Sequence, residues 1–255
     1  MKEYNENEIL RLESLLIDNR EELILQKFHQ ITKWNYVNKL LSTDIKLMYY
    51  TDNAPFVKIK PKNYLEKIHL EDHDFLSNGS KRDFDSITEI DFKEFSKIIT
   101  ESFGYDANRK KNYPSAGGLY SILPLIYIYD NTKLSFDIKN GIYSFDETSN
   151  SLDLIKVLDS KLLNKIKINI SGEKLQSSFM FAYSINFKRS IAKYGMRGYR
   201  HALVEVGNLV QNVRQVMQKN NRGELCWSGF NDDQLTKLSG LNARNAPIVL
   251  LQWWG

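Results

Sequence analysis

The sequence predicts an α+β protein, and three observations carry that prediction. Residues 199–219 hold a continuous apolar stripe at three- and four-residue spacing, the mark of a long helix central to a core. Several short runs rich in Tyr, Ile and other large apolar residues are bounded by Asn, Asp and Gly, as strands are. Strands and helices follow one another without a regular βαβ rhythm or an internal repeat, which argues against a doubly wound parallel sheet.

The elements can be justified in chain order. Residues 7–30 carry Ile9, Leu10, Leu12, Leu15, Leu16, Ile24, Leu25 and Phe28 among charges, a helical period, and a looser stretch follows around Pro55 and Pro61. Phe92, Phe95, Ile98, Ile99 and Phe103 repeat the helical spacing, and Gly104 stands where a helix would stop. Strands are predicted at 123–130 (LPLIYIYD), 141–146 (GIYSFD), 180–186 (MFAYSIN) and 246–254 (APIVLLQWW). In the long helix the stripe runs Tyr199, Ala202, Leu203, Val206, Leu209, Val210, Val213, Val216, Met217. A short helix is predicted from the N-cap Asn231, with Asp232 and Asp233 in its first turn, to near Gly240.

Composition excludes several classes. The 255 residues are enough for a sizeable core, and 42% hydrophobic with 12% aromatic residues excludes collagen-like, disordered and coiled-coil chains. A net charge of +4, from 35 basic and 31 acidic residues, is an ordinary solvated surface and gives no argument for nucleic acid. The single cysteine, Cys226, can build neither an internal disulfide nor a Cys-rich metal or iron–sulfur site. The N-terminus does not read as a secretory signal and no run is long enough to span a membrane, so a soluble, cytoplasmic protein is expected. His69 and His73 have a spacing that can bind metal on a helix, but a surface pair is the expected reading, and no metal site is predicted.

Three segments hold residue types that are unusual for plain scaffolding. Asn78 to Phe84 carries Gly79, Ser80, Lys81 and Arg82, a hydroxyl and two cations in a small turn that could grip phosphate, or simply be a surface turn. In Tyr113 to Tyr120, Ser115, Ala116, Gly117 and Gly118 would let backbone approach a flat ligand closely; the alternative is a tight turn before the next strand. Lys193 and Tyr194 place two proton-transfer groups together, and Arg197 and Arg200 at the following helix start could hold an anion; a solvated basic helix entry is the alternative.

Taken in this order, the segments resemble the nitroreductase-like flavoproteins, and more closely the SagB-type dehydrogenases that oxidise azolines to azoles in peptide biosynthesis. The likeness covers nearly the whole chain. It begins with FHQITKW (28–34) and the Lys58 to Leu70 segment, then takes in Ser80, Arg82 and Phe84, PSAGGLY (114–120) and GIYSFD. It closes with KYGMRGYRHALVEVGNLVQN (193–212) and WSGFNDDQLTKLSGL (227–241). The PSAGGLY element and the KYG run are the specific parts.

The resemblance implies an FMN enzyme with an antiparallel-rich central sheet flanked by helices, active as a homodimer. It divides the chain into a helix-rich N-terminal extension, 1–70, and an FMN-binding domain, 71–255. Ser80 and Arg82 match positions that hold the ribityl phosphate. Ser115, Ala116 and Gly117 match a loop lying against the isoalloxazine, usually from the partner subunit. Ser228 and Gly229 match the segment addressing the reactive flavin nitrogen, and Gln211 and Asn212 would line the same pocket. The family's catalytic Lys-Tyr pair falls on Lys193 and Tyr194.

Three departures are visible. Asn78 replaces the basic residue that commonly opens the phosphate grip, and C-terminal cations are missing, so Arg82, Lys81 and Arg197 or Arg200 would carry the phosphate. Trp227 stands close to where the family has Pro before Gly-Phe, and its indole could stack on flavin or substrate, or pack in the core. The implied activity is oxidation of thiazoline or oxazoline rings in a precursor peptide, beside cyclodehydratase subunits. The competing expectations are an NAD(P)H-dependent flavin reductase of nitro, quinone or dehydroamino acid groups, and a non-catalytic scaffold subunit.

Overall fold

The computed structural model describes residues 6–33, 65–74, 79–84, 88–172 and 174–255. Its strands are β1 (Ile122–Ile128), β2 (Gly141–Asp146), β3 (Ser151–Val157), β4 (Phe179–Ile185), β5 (Glu224–Trp227) and β6 (Ile248–Trp254). They form one sheet in the order β3-β2-β1-β4-β6-β5, with every neighbouring pair antiparallel. The helices are α1 (Glu6–Leu16), α2 (Asn19–Thr32), α3 (Phe92–Phe103), α4 (Ser160–Ile168), α5 (Phe187–Tyr194), α6 (Arg197–Lys219) and α7 (Asp232–Leu238). This is the predicted α+β architecture. Residues 1–34 and 80–255 belong to one unit and 35–79 to a second. Trp34, Pro55, Pro61, residues 58–64 and Asn78 lie outside the described residues.

The sheet is covered on both faces, which explains why β4 is buried along its whole length. On one face Phe179, Phe181, Tyr183 and Trp254 join Ala202, Val206, Leu209, Val213 and Val216 of α6 in a single apolar cluster. Trp254 stacks on Phe179 and Phe181 with ring centroids 4.7 and 5.2 Å away. On the other face Met180, Ala182 and Trp253 pack with Ile166 of α4 and Leu235 of α7. Alternation along each strand sends neighbouring side chains into these two cores.

Several predicted ends coincide with caps. Asp91 accepts from the Glu94 amide ahead of α3, Gly104 follows its end, and Asn231 accepts from the Gln234 amide ahead of α7. The period over 7–30 resolves into two helices, because Asp18 accepts from the Arg20 amide and starts α2 afresh. Leu203, placed in the buried stripe by its spacing, is instead 42% exposed, and its neighbour Val204 is 62% exposed. Sequence periodicity did not separate β3, β5, α4 or α5. Edge strand β3 has no fully buried residue, β5 is four residues long with a buried Glu224, and α5 is short and rich in polar residues.

Helix α2 docks through Leu25 and His29, which are both buried. The His29 ring lies 5.2 Å from Phe187, and Phe28 meets Tyr199 edge-on at 5.6 Å. Burial, assisted by the Lys33 charge and opposed by Asp233, holds the His29 pKa down from 6.5 to about 4. Between those values the unfolded chain takes up a proton that the native chain refuses. Stability therefore falls as pH drops through this window and levels off below it, by on the order of 3 kcal/mol from this residue. Urea unfolding of wild type and H29F at pH 7.5 and 4.5 checks this: wild type should lose roughly 2–3 kcal/mol more than the variant. Equal losses would refute it.

Candidate active site

The PSAGGLY segment and the Lys-Tyr pair, far apart in sequence, meet in the structure. Ala116–Gly118 form one turn of 3-10 helix after an extended Ser115, with Gly117 at φ +63°. A Cβ on Gly117 would collide with the Tyr194 hydroxyl and, at 2.5 Å, with Lys193 Nζ. Only a glycine allows both the left-handed backbone and this approach. Lys193 and Tyr194 are the last residues of α5, with Gly195 capping it. Lys193 Nζ stands 5.4 Å from the Tyr194 ring centroid, and His201 of α6 meets the same ring edge-on at 4.9 Å. His201 was not singled out in the sequence, because its contact depends on how α5 and α6 cross.

That crossing is close. A Cβ on Gly198 would meet the Ser190 carbonyl, its carbon at 2.5 Å, and the Ile191 nitrogen at 2.9 Å. The stem of the glycine turn is held as well. Lys111 is buried, ion-paired with Glu147, and boxed by the rings of Tyr105, Tyr120 and Tyr113 at 4.7, 5.3 and 5.9 Å. Burial lowers the Lys111 pKa and Glu147 opposes that shift; burial also raises Tyr105, to about 12.

A groove of about 480 Å³ borders Lys193, with Ile9, Leu12, Leu16, Leu119 and Ala192 among its walls. A roomier cavity of about 540 Å³, between α3 and the β2–β3 turn, contains none of the predicted site residues.

The second predicted cluster gathers at β5. The Lys81 amide donates to the Glu224 carbonyl at 2.9 Å, which fixes the Ser80–Arg82 turn against the strand's start. Arg214 of α6 donates from one nitrogen to Ser80 Oγ at 2.8 Å and from another to Glu224 at 2.5 Å. Glu224 is buried and also accepts from Gln252, whose own oxygen accepts from Tyr183. A polar chain thus runs from the sheet's core to the exposed Ser80. Arg214 was missed in the sequence, since it sits among the valines of the core stripe; its partners are visible only after folding. Gln211 is exposed one turn before Arg214, on the same side of α6. Asn212 is buried and donates to the Glu101 and Ser102 carbonyls at the end of α3.

Beyond the other end of β5, Ser228 is exposed, and the Gly229 carbonyl accepts from the Ser171 amide and from Trp227 Nε1 at 3.1 Å. Trp227 packs partly into the second core. Burial and the Glu224 carboxylate push the Cys226 thiol up to about 12, which keeps it protonated and unreactive.

Arg197 and Arg200 are exposed at the start of α6, but two of the amides there already bond to Gly195 and Met196. Arg214 lies 214 − 197 = 17 residues further on, about 25 Å along the axis at 1.5 Å per residue. The chain thus gathers Ser80, Lys81 and Arg82 at Arg214, three residues after Gln211, and brings Gly117 to Lys193 and Tyr194, with Arg197 and Arg200 following on the next helix; Ser228 and Gly229 lie past the far end of β5. His69 and His73 lie in an irregular segment, so their spacing does not put them on one helix face. Among the described residues there is no group of three or more His, Cys, Asp or Glu able to hold a metal, and no helix is long and apolar enough to cross a membrane.

No family model matches the sequence. The microcin B17-processing protein McbC of Escherichia coli is 25% identical over 170 residues, covering 65% of this chain and 62% of McbC. The match therefore spans about three fifths of that relative's length. MJ1384 of Methanocaldococcus jannaschii, which bears a nitroreductase name, is 24% identical over 190 residues, covering 73% of this chain and 91% of MJ1384. Among solved structures, a chain of the E. coli microcin synthetase McbBCD complex with truncated pro-MccB17 bound superposes with a TM-score of 0.79 at 19% identity, covering 95% of both chains. A Ralstonia eutropha protein, also bearing a nitroreductase name, gives 0.56 at 16% identity over 78% of this chain and 95% of its own. The chain therefore has the nitroreductase-like fold, and in sequence it is similar to McbC and to MJ1384.

Proposed function

We propose that the chain is a SagB-type FMN-dependent dehydrogenase that converts thiazoline or oxazoline rings of a ribosomally made peptide into thiazoles or oxazoles. The observation that carries this reading is the convergence of Gly117 with Lys193 Nζ and the Tyr194 hydroxyl, which joins the two most specific sequence elements at one point. The similarity to a microcin-processing protein and to a chain of a peptide-bound synthetase supports the substrate class.

The donor set fits FMN. Ser80 and Arg82 are exposed, Lys81 and Arg214 stand beside them, and Glu224, the nearby carboxylate, is buried beneath Arg214. In this reading Ser80, Lys81, Arg82 and Arg214 hold the phosphate, so that Arg214 supplies the cation missing at Asn78. Gln211, Ser228 and Gly229 would help to hold the rest of the same cofactor. Bound there, FMN supplies the two-electron acceptor, with molecular oxygen as terminal oxidant.

The chain's own task is the proton. Oxidation removes a hydride and a proton from the ring, the proton from the carbon next to the carbonyl, and the aromatic product provides the driving force. Lys193 or Tyr194 takes that proton; Lys193 is exposed, Tyr194 half-buried, and their neighbouring placement lets either reach it. Flanking peptide residues would lie in the apolar groove that Lys193 borders.

Along α6, Arg214 lies about 25 Å from Arg197 but only about 14 Å from Glu205, which accepts from Ser115. In this reading, as the family resemblance implies, the protein is a homodimer in which residues 115–117 of one subunit complete the partner's site. Leu203 and Val204, exposed on α6, offer an apolar surface for such pairing. Cyclodehydratase subunits are the further partners in this reading.

The test is azole formation by the K193A/Y194A double variant with flavin occupancy checked. Loss of a general base predicts a fall of at least about 100-fold in turnover with flavin retained. Full activity would overturn the assignment. The similarity to MJ1384 favours, as second reading, an NAD(P)H-dependent reductase. Stopped-flow mixing distinguishes them: rapid reduction of the flavin by NADPH favours the reductase, and rapid reduction by the peptide favours the azoline dehydrogenase. A colourless protein that cannot be reconstituted with FMN would point to a scaffold subunit.

A further inference from the structure

We propose that Glu205 is the positioning residue that locks the PSAGGLY turn to the helix carrying Lys193 and Tyr194. Its effect on azole formation rests on the dehydrogenase reading; its effect on the turn does not. Glu205 is 2% exposed, on the face of α6 that meets both segments. Its Oε2 accepts from Ser115 Oγ at 2.5 Å and from Ser121 Oγ at 3.3 Å. Ser115 stands two residues before Gly117, and its Oγ also accepts from the Tyr120 amide at 2.9 Å, closing the turn on itself. Ser121 Oγ lies 2.7 Å from Ser190 Oγ, one turn before Lys193 on α5. One carboxylate oxygen is therefore bonded to the glycine turn and, through Ser121, to the Lys-Tyr helix.

The arrangement is unfavourable as plain core filling. The other oxygen, Oε1, is buried without a hydrogen-bond partner. A buried carboxylate that is only half satisfied costs more than an apolar side chain of the same size would. What it adds is direction: two hydroxyls from separate elements converge on one acceptor, and the distance between Gly117 and Lys193 is held with them. A shift of about 1 Å at such a point can cost about 100-fold in rate.

Glu205→Ala is to be contrasted with Glu205→Gln, because glutamine keeps an acceptor oxygen at the same reach while it removes the charge and puts an NH2 group in place of the unpartnered Oε1. Both variants should fold. In E205A Ser115 keeps its bond to the Tyr120 amide and Ser121 its bond to Ser190, and an unfavourable buried charge is gone. The first readout needs neither flavin nor substrate: hydrogen exchange of the Gly118 amide, which bonds to the Ser115 carbonyl at 3.1 Å. In full-length protein without added FMN, that amide should exchange at least about tenfold faster in E205A, and at close to the wild-type rate in E205Q.

Azole formation should fall about 10- to 100-fold in E205A and stay within about threefold of wild type in E205Q. Wild-type exchange and turnover in E205A would overturn the proposal. So would an equal loss in E205Q, or faster exchange spread evenly over the sheet, which would mark a general loss of stability. Should E205A not fold, S115A removes the same bond from the turn's side and must give the same local increase at Gly118. If wild type neither binds FMN nor oxidises an azoline, the functional reading fails while the exchange comparison still decides the role of Glu205.

Discussion

Replacing Gly198 by Ala is expected to destabilise the protein by about 3 kcal/mol, lowering Tm by roughly 10 °C, and to abolish most activity. Alanine is the better helix former, so local propensity alone predicts a gain of nearly 1 kcal/mol. The neighbouring helix decides the sign. The added methyl would meet the Ser190 carbonyl and the Ile191 nitrogen, which are backbone atoms that no rotamer change can move. To admit it, α5 must shift away from α6, carrying Lys193 and Tyr194 off Gly117 and breaking the approach of Ser190 to Ser121. Thermal unfolding and azole formation measured on one preparation check both parts. An unchanged or raised Tm would show that the helices can separate at no cost.

Gly117→Ala should give the opposite division, with a small loss of stability and a large loss of activity. The positive φ costs an alanine about 1–2 kcal/mol. The new methyl meets the Tyr194 hydroxyl and Lys193 Nζ, the free ends of two half-exposed or exposed side chains, which can swing aside cheaply. Those are the atoms assigned to proton transfer, so turnover should fall about 100-fold while the fold stands. Gly118→Ala is the matched control. Gly118 has nearly the same backbone angle, φ +66°, but nothing lies within 4 Å of its added methyl. It should lose similar stability and keep most of the activity. Equal activities for the two variants would show that the approach of Gly117 to the Lys-Tyr pair does not matter for the chemistry.

The candidate site was legible in the sequence as three pieces and illegible as a whole. Gly117-Gly118, Lys193-Tyr194 and Ser80-Lys81-Arg82 each stand out because they place glycine, paired proton carriers or paired cations where scaffolding does not need them. Their partners did not stand out. Arg214 is surrounded by the apolar stripe of α6, and Glu205 lies among its valines, so both read as helix surface. Each is identified by a bond to a residue far away in the chain: Ser80 for Arg214, and Ser115 for Glu205.

Local sequence determined what depends on neighbouring residues only: the α+β class, the long helix, the strands at 123–130, 141–146, 180–186 and 246–254, and the caps Asp91 and Asn231. These follow from side-chain periodicity and from hydrogen bonds spanning three or four residues, so a short window holds the information. Tertiary structure decided the rest. The antiparallel order of six strands, the outward turn of Leu203 and Val204, the close crossing at Gly198, and the meeting of Gly117 with Lys193 and Tyr194 all depend on how packed elements cross. A helix records in its sequence which face is apolar. Which neighbour that face meets, and which residues are thereby brought within bonding distance, is set by packing the two cores of the sheet.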